Sequence, residues 1–346
     1  MKARTLNPTA QPFDLRLSLP GSKSFANRAL VCAALAGRKC SLSNLSPGDD
    51  TALMLNVLAD LGWSVRGRGD DVDLNPRARP AIAAGEGRRT IYTGAAGTAT
   101  RFACALLCVT PGRFVLDGNV RMRQRPMADL IHALRQLGAT ITEKGKPGCV
   151  PLEGASLRGG KCVLSGEVSS QFLSALLLVA PMVGGGIEID VQGELVSKPY
   201  VDITLNVMRA FGLPDACVKR DGYRRLVVKP GAYGCERYDC PPDATAASYF
   251  WGAAAVTGST CVVDGLTRQD VQGDVKFVDC LRRMGCEALE FPNGLGVRGL
   301  FQSGIGPASR DTVGAGSLRA IEADMSSMPD CAQTLAVVCV FAQGTS

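Results

Sequence analysis

A pattern of about 74 residues recurs along this chain, so the fold must be built from copies of one unit packed against each other. Five times a turn of small residues opens an Ala- and Leu-rich run, at residues 21–37, 97–112, 169–185, 243–258 and 330–344. The closing glycines, Gly37, Gly112, Gly185, Gly258 and Gly344, lie 75, 73, 73 and 86 residues apart. Ser, Thr or Asp near each start and glycine at each end are helix signals. A short polar side chain satisfies free N–H groups, and glycine tolerates the left-handed turn that closes a helix.

A second, amphipathic helix follows four of the five runs and ends at Gly62, Gly138, Gly212 and Gly285, which are 76, 74 and 73 residues apart. Between the two helices come alternating or β-branched stretches such as RFVLDG, IEIDVQG and CVVDG. More follow the second helix (ATITEKG, LVVKPG, LGVRG). The unit therefore reads helix, strand, helix, strands, which places the chain in the α/β class. The fifth unit shows only its first helix, and its segment TLAVVCVFA is too apolar all round to face water, so something is expected to cover it.

The first helix of each unit is mostly apolar and should be buried, while its start gathers chemistry: Lys23 and Ser24, Thr98 and Arg101, Ser169 and Ser170, Asp243, and Asp330. Free N–H groups and a partial positive charge make a helix start a receptor for phosphate or carboxylate. Any one of these hydroxyls is explained by ordinary capping. Their repetition, with Arg28, Arg101, Arg121, Arg123 and Arg125 nearby, points to a shared cleft for a polyanion.

Composition removes other classes. His132 is the sole histidine and lies in the helical run ADLIHALRQLG, which leaves little room for a zinc site or a histidine-based nucleophilic site. The 14 cysteines contain no Cys-x-x-Cys pair and read as small buried hydrophobes. A net charge of +6 with only 5% aromatics and scattered basic residues offers no nucleic-acid stacking platform, and small anions fit better. The longest apolar run, residues 175–183, is interrupted by Pro181 and followed by three glycines, and the first residues lack a secretory apolar stretch. A cytoplasmic protein that contacts neither membrane nor nucleic acid is expected.

Several segments, in order along nearly the whole chain, are similar to those of EPSP synthases (3-phosphoshikimate 1-carboxyvinyltransferases). They are LPGSKSFANRAL (19–30), GAAGTATR (94–101), RMRQRPM (121–127), SSQFLSA (169–175), SKPYVDIT (197–204), DATAASYF (243–250), QGDVKF (272–277) and DMSSMPDCAQT (324–334). The resemblance implies a two-domain enolpyruvyl transferase fold in which each domain holds three βαβαββ units. The first domain would be residues 20–240. The second would be residues 1–19 plus 241–346, with its last part missing. The implied reaction transfers the enolpyruvyl group of phosphoenolpyruvate to the 5-hydroxyl of shikimate 3-phosphate, without metal or organic cofactor, in an enzyme that is monomeric when complete.

By the same resemblance, Ser24, Arg28, Ser169, Ser170, Ser197 and Tyr200 would bind shikimate 3-phosphate, and Gln171 would touch both substrates. Lys23, Gly97 and Arg125 would hold phosphoenolpyruvate. Asp330 would accept the 5-hydroxyl proton, with Lys23 and Asp330 both facing shikimate 3-phosphate and acting in catalysis. Ala95 departs from the asparagine common in the family. The Lys-Glu-x-Asp-Arg and Asp-His-Arg segments of the family are not found before Ser346, so the chain alone is expected to bind shikimate 3-phosphate weakly and to turn over negligibly. Two alternatives remain. A UDP-N-acetylglucosamine enolpyruvyl transferase would need a reactive cysteine in the RMRQRPM loop, which has none; the other is a non-catalytic remnant that binds shikimate 3-phosphate or a partner chain.

Overall fold

A computed structural model describes residues 12–68, 70–76, 88–300 and 318–346. The opening residues 1–11, counted above in the second domain, lie outside that range. The chain forms two compact units, residues 20–241 and residues 1–19 with 242–346.

In residues 20–241 the repeat is written three times. The first copy is α1 (Lys23–Leu35), β2 (Cys40–Ser43), α2 (Asp49–Asp60), β3 (Ser64–Arg68) and β4 (Asp71–Asn75), following β1 (Asp14–Leu17) in the chain. The second is β5 (Arg89–Tyr92), α3 (Gly97–Val109), β6 (Phe114–Asp117), α4 (Ala128–Gln136), β7 (Thr140–Glu143) and β8 (Leu152–Ala155). The third is β9 (Gly160–Ser165), α5 (Ser170–Val179), β10 (Ile187–Gln192), α6 (Pro199–Ala210), β11 (Val218–Asp221) and β12 (Arg225–Val228), and β13 (Arg237–Asp239) closes the unit.

Each copy makes a four-stranded sheet. Its opening strand runs parallel to the strand after the first helix, and a hairpin adds antiparallel on the other side: β5-β6-β8-β7 and β9-β10-β12-β11. The first copy differs in its source of opening strand, because β13 fills that place beside β2 in the order β13-β2-β4-β3. The first helices α1, α3 and α5 pack on one another in the interior. α5 buries Phe172, Leu173 and every residue from Ala175 to Val179, and each buried Leu or Phe contributes about 1.5–3 kcal/mol.

The other unit repeats the plan with β1 as the opening strand, α7 (Ala244–Thr257), β14 (Thr260–Asp264), α8 (Phe277–Arg283), β15 (Glu287–Phe291) and β16 (Gly294–Arg298), in the sheet order β1-β14-β16-β15. Its core centres on Trp251, Phe277, Leu281, Met284, Leu295 and Val297, and the Trp251 indole donates to Leu295 O at 3.2 Å. β17 (Leu318–Arg319), α9 (Ala332–Cys339) and β18 (Ala342–Gln343) complete it.

Gly62, Gly138, Gly212 and Gly285 all hold positive φ, between 86° and 110°, as the helix-closing reading requires. The fifth run behaves differently from its expectation. One helix reaching Gly344 is expected, but α9 stops at Cys339, Val340 and Phe341 turn, and Ala342–Gln343 form β18, parallel to β17. Pairing with β17 gives the backbone of Ala342 and Gln343 partners that replace those a continued helix would supply. In the third run the left-handed closing residue is Gly186 rather than Gly185.

Candidate active site

The helix starts expected to carry chemistry do so by different means. Ser169 is the N-cap of α5, and its hydroxyl accepts from Gln171 N at 3.3 Å. Asp243 caps α7 by accepting from Thr245 N at 2.9 Å and Ala246 N at 3.1 Å. α1 and α3 begin after Ser22 and Ala96 with no side-chain cap, so their first N–H groups are left for other acceptors.

Two groups of side chains collect around these starts. The first surrounds Arg28, which is 1% exposed. Its Nε donates to Thr204 Oγ1 at 2.7 Å, Nη1 to Ser24 O at 2.7 Å, and Nη2 to Ser174 Oγ at 3.2 Å and Tyr200 O at 3.0 Å. The guanidinium also lies over the rings of Phe102 and Tyr200, at 5.3 and 6.0 Å. This correlates α1 with α3 and α6 and brings Ser24, Arg28 and Tyr200 together. Tyr200 N in turn donates to Ser197 O at 3.2 Å, and Ser197 holds φ of +54°. A non-glycine residue in that region carries strain that the surrounding structure must offset.

The second group lies between α3 and α5. Arg101 donates through Nη1 to Gln171 Oε1 and stacks on Phe172 at 5.2 Å. Its Nε is buried with no hydrogen-bond partner among the described residues. Arg125 lays its guanidinium against Gly97, where a Cβ would come within 2.5 Å of Nη1, and it donates to Ala95 O at 3.3 Å. Gly97 is thus glycine because a cation occupies the space a side chain would need. Lys23, the first residue of α1, is exposed and 3.7 Å from Asp50. Ser170 is 3% exposed.

Burial pushes the Arg28 guanidinium down to about 10, and burial followed by the charge of Arg125 does the same to Arg101. Both remain charged at neutral pH. Among the described residues, Arg28, Arg101 and Arg125 have no ion-pair partner. Burying a charge without a counter-ion is costly, hydrogen bonds offset part of that cost, and an arriving anion would offset more.

The sequence-derived cluster therefore needs trimming in one place. Arg123 is spent on Asp117, with Nε–Oδ1 at 2.9 Å, and its neighbour Arg121 is exposed. Two contributors are not singled out by the sequence, Ser174 and Thr204 as the partners of Arg28, while Arg101, already among the expected cations, gains a specific part as the partner of Gln171. Each sits inside a quoted motif, one helical turn from a residue that was assigned, which is the signal that could have found it.

Asp330 belongs to the other unit. It is exposed in the 3-10 turn Pro329–Cys331 that precedes α9. The following Cys331 donates its thiol to Asp274 Oδ1 at 3.1 Å. Asp274 is 6% exposed, and its carboxyl is raised by burial first and by Asp330 and Asp243 in addition. Among the described residues no His, Cys, Asp or Glu cluster is placed to hold a metal ion, and no helix is long and apolar enough to cross a membrane.

Repeated βαβαββ units with guanidinium groups gathered near buried helix starts define an α/β protein with a surface suited to small anions. The chain belongs to the EPSP synthase (3-phosphoshikimate 1-carboxyvinyltransferase) family, whose profile matches residues 9–346. It is 39% identical to the 3-phosphoshikimate 1-carboxyvinyltransferase of Sulfurovum sp. over 100% of this chain and 77% of that protein. It is 38% identical to that of Tolumonas auensis over 99% and 77%. The solved EPSP synthase from Acinetobacter baumannii superposes with a TM-score of 0.76 at 21% identity, covering 97% of this chain and 74% of that one.

Proposed function

We propose that this chain transfers the enolpyruvyl group of phosphoenolpyruvate to the 5-hydroxyl of shikimate 3-phosphate, releasing phosphate and forming 5-enolpyruvylshikimate 3-phosphate. The observation that carries the reading is the set of three guanidinium groups, Arg28, Arg101 and Arg125, two of them buried and none paired with a described carboxylate. Both substrates are polyanions, and they supply the missing negative charge.

Residues 20–241 would bind shikimate 3-phosphate through Ser24, Ser169, Ser170, Ser197, Tyr200 and Arg28. Arg28 has four of its five N–H groups engaged within the protein, so its part is one Nη1 N–H and its charge. Lys23, Gly97 and Arg125 would hold phosphoenolpyruvate, Gly97 by offering bare backbone beside the guanidinium. Gln171, pinned by Arg101, would reach both. Asp330 would take the 5-hydroxyl proton as that oxygen adds to C2 of phosphoenolpyruvate while the methylene carbon gains a proton, and the resulting methyl gives up a proton again when phosphate leaves. Lys23 would stabilise the charge that develops in the tetrahedral adduct, which then expels phosphate. The domain roles, a cytoplasmic location and action as a monomer belong to the same proposal.

The test pairs shikimate 3-phosphate titration with a phosphate-release assay. Expected are binding of shikimate 3-phosphate and release that requires both substrates. In Ser170→Ala, loss of one hydrogen bond to a charged group should weaken shikimate 3-phosphate about ten- to a hundredfold. Binding without any phosphate release would favour a non-catalytic binder, and no binding would remove the reading altogether.

A further inference from the structure

The first sheet of residues 20–241 is completed by a strand from the far end of that unit, and two cysteines mark the junction. β13 runs parallel to β2 with Arg237 opposite Ser41, and Ser41 N donates to Glu236 O at 2.9 Å. Cys40 opens β2 and is buried; Cys235 stands two residues before β13 and is half-buried. Their thiols lie close enough to interact. Cys235 Sγ also lies 2.9 Å from Arg237 O, which holds it at the strand edge. Behind them, Cys32 on α1 is in contact with the Tyr233 hydroxyl.

We propose that Cys40 and Cys235 form a reversible disulfide that locks β13 onto β2, with Cys235 as the attacking thiol. Cys235 precedes Glu236, whose carbonyl accepts from Ser41 N, so Cys40 and Cys235 sit one position out of register on adjacent segments. Strands about 4.8 Å apart with a rise of about 3.3 Å per residue put their Cα atoms about 6 Å apart, within the range a disulfide spans. Of the two sulfurs only Cys235 is reached from solvent.

The oxidant is a small-molecule disulfide such as glutathione disulfide. The Cys235 thiolate attacks one of its sulfurs and expels one glutathione thiolate. Cys40 then loses its proton and attacks the Cys235 sulfur of the mixed disulfide, expelling the second. The protein dithiol gives up two electrons, and the glutathione disulfide becomes two thiols. Burial pushes the Cys40 thiol up to about 12, which makes the second exchange the slow one and faster as pH rises. In a reducing compartment the dithiol prevails, and the pair responds to oxidation instead of serving as a permanent staple.

The loop closed by this bond runs from residue 40 to residue 235, nearly the whole unit. Constraining so long a loop in the unfolded chain should raise the folded-to-unfolded ratio of residues 20–241 by about a thousandfold. The experiment incubates the folded chain with glutathione disulfide, blocks remaining thiols and maps peptides without reductant. Expected is a Cys40–Cys235 linkage that forms faster at higher pH, is reversed by dithiothreitol and raises the urea midpoint. Cys32→Ser should keep the linkage. Cys235→Ser, a change at a half-buried position, should abolish it and the stabilisation while leaving the reduced midpoint near that of the parent. A glutathione adduct on Cys235 that never resolves, a bond to Cys32 instead, or no modification of either thiol overturns the proposal.

Discussion

The contact between Gly97 and Arg125 shows how a single missing side chain shapes this site. A Cβ at position 97 would fall 2.5 Å from Arg125 Nη1 and 2.8 Å from Cζ. What it meets is the far end of a long side chain, so the protein can yield cheaply by moving Arg125 away. Gly97→Ala should therefore leave stability nearly unchanged yet raise KM for phosphoenolpyruvate about ten- to a hundredfold, the cost of a charge-assisted hydrogen bond. KM for shikimate 3-phosphate should move little. Initial-rate kinetics with each substrate varied in turn distinguish this from a general loss of activity, and an equal rise in both constants would refute it. Arg28 has no such freedom, because its donors bind Ser24 O, Tyr200 O, Ser174 and Thr204 in the core.

At the scale of elements, short polar links decide how helix starts are held. The turn Gly273–Lys276 before α8 and the turn Pro329–Cys331 before α9 are joined by the Cys331 thiol donating to Asp274. Burial raises the Asp274 carboxyl above its unfolded value, with the charges of Asp330 and Asp243 adding to it. A raised carboxylate contributes stability that is present below the unfolded value of about 3.9 and lost as pH rises through the folded value. At neutral pH the ionised group is therefore a burden. Asp274→Asn keeps an acceptor for Cys331 and removes the charge. The variant should be more stable than the parent near pH 7, with the difference closing as pH falls through the carboxylate range. Urea midpoints of both proteins across that range check the sign; a difference that grows towards acid would contradict it.

For the whole molecule, the decisive feature is which strand opens which sheet. The strand just before the first copy, β1, is given to β14, and the vacancy beside β2 is filled by β13. β1 is held by Asp14 to Leu17 pairing with Thr260 to Val263, by Phe13 N donating to Ser259 Oγ at 3.0 Å, and by Arg16 reaching Asp264 at 2.8 Å. A chain lacking residues 1–18 should lose hydrogen-exchange protection in β14 and β16 while β10 and β12 keep theirs. Equal loss in both units would contradict this division. Much of the plan was legible beforehand: the helix pairs, most inner strands and the closing glycines at 62, 138, 212 and 285 follow from local periodicity. The short opening strands β5, β9 and β13 were not, since three to six residues carry too little pattern to separate them from loops.

The candidate site divides along the same line. By itself the sequence determined the repeated α/β unit, the helix starts bearing Lys23, Ser169 and Ser170, and the motifs that carry the family. Helix periodicity, capping and glycine stops act over a few residues, so they survive in a one-dimensional string. Only the tertiary structure decided that β13 completes the first sheet, that Arg125 occupies the space at Gly97, and that Arg28 is spent on Thr204, Ser174 and the Tyr200 carbonyl. Those contacts join residues 28 to 196 positions apart. They depend on which distant surfaces exclude water together, and no local pattern encodes that choice.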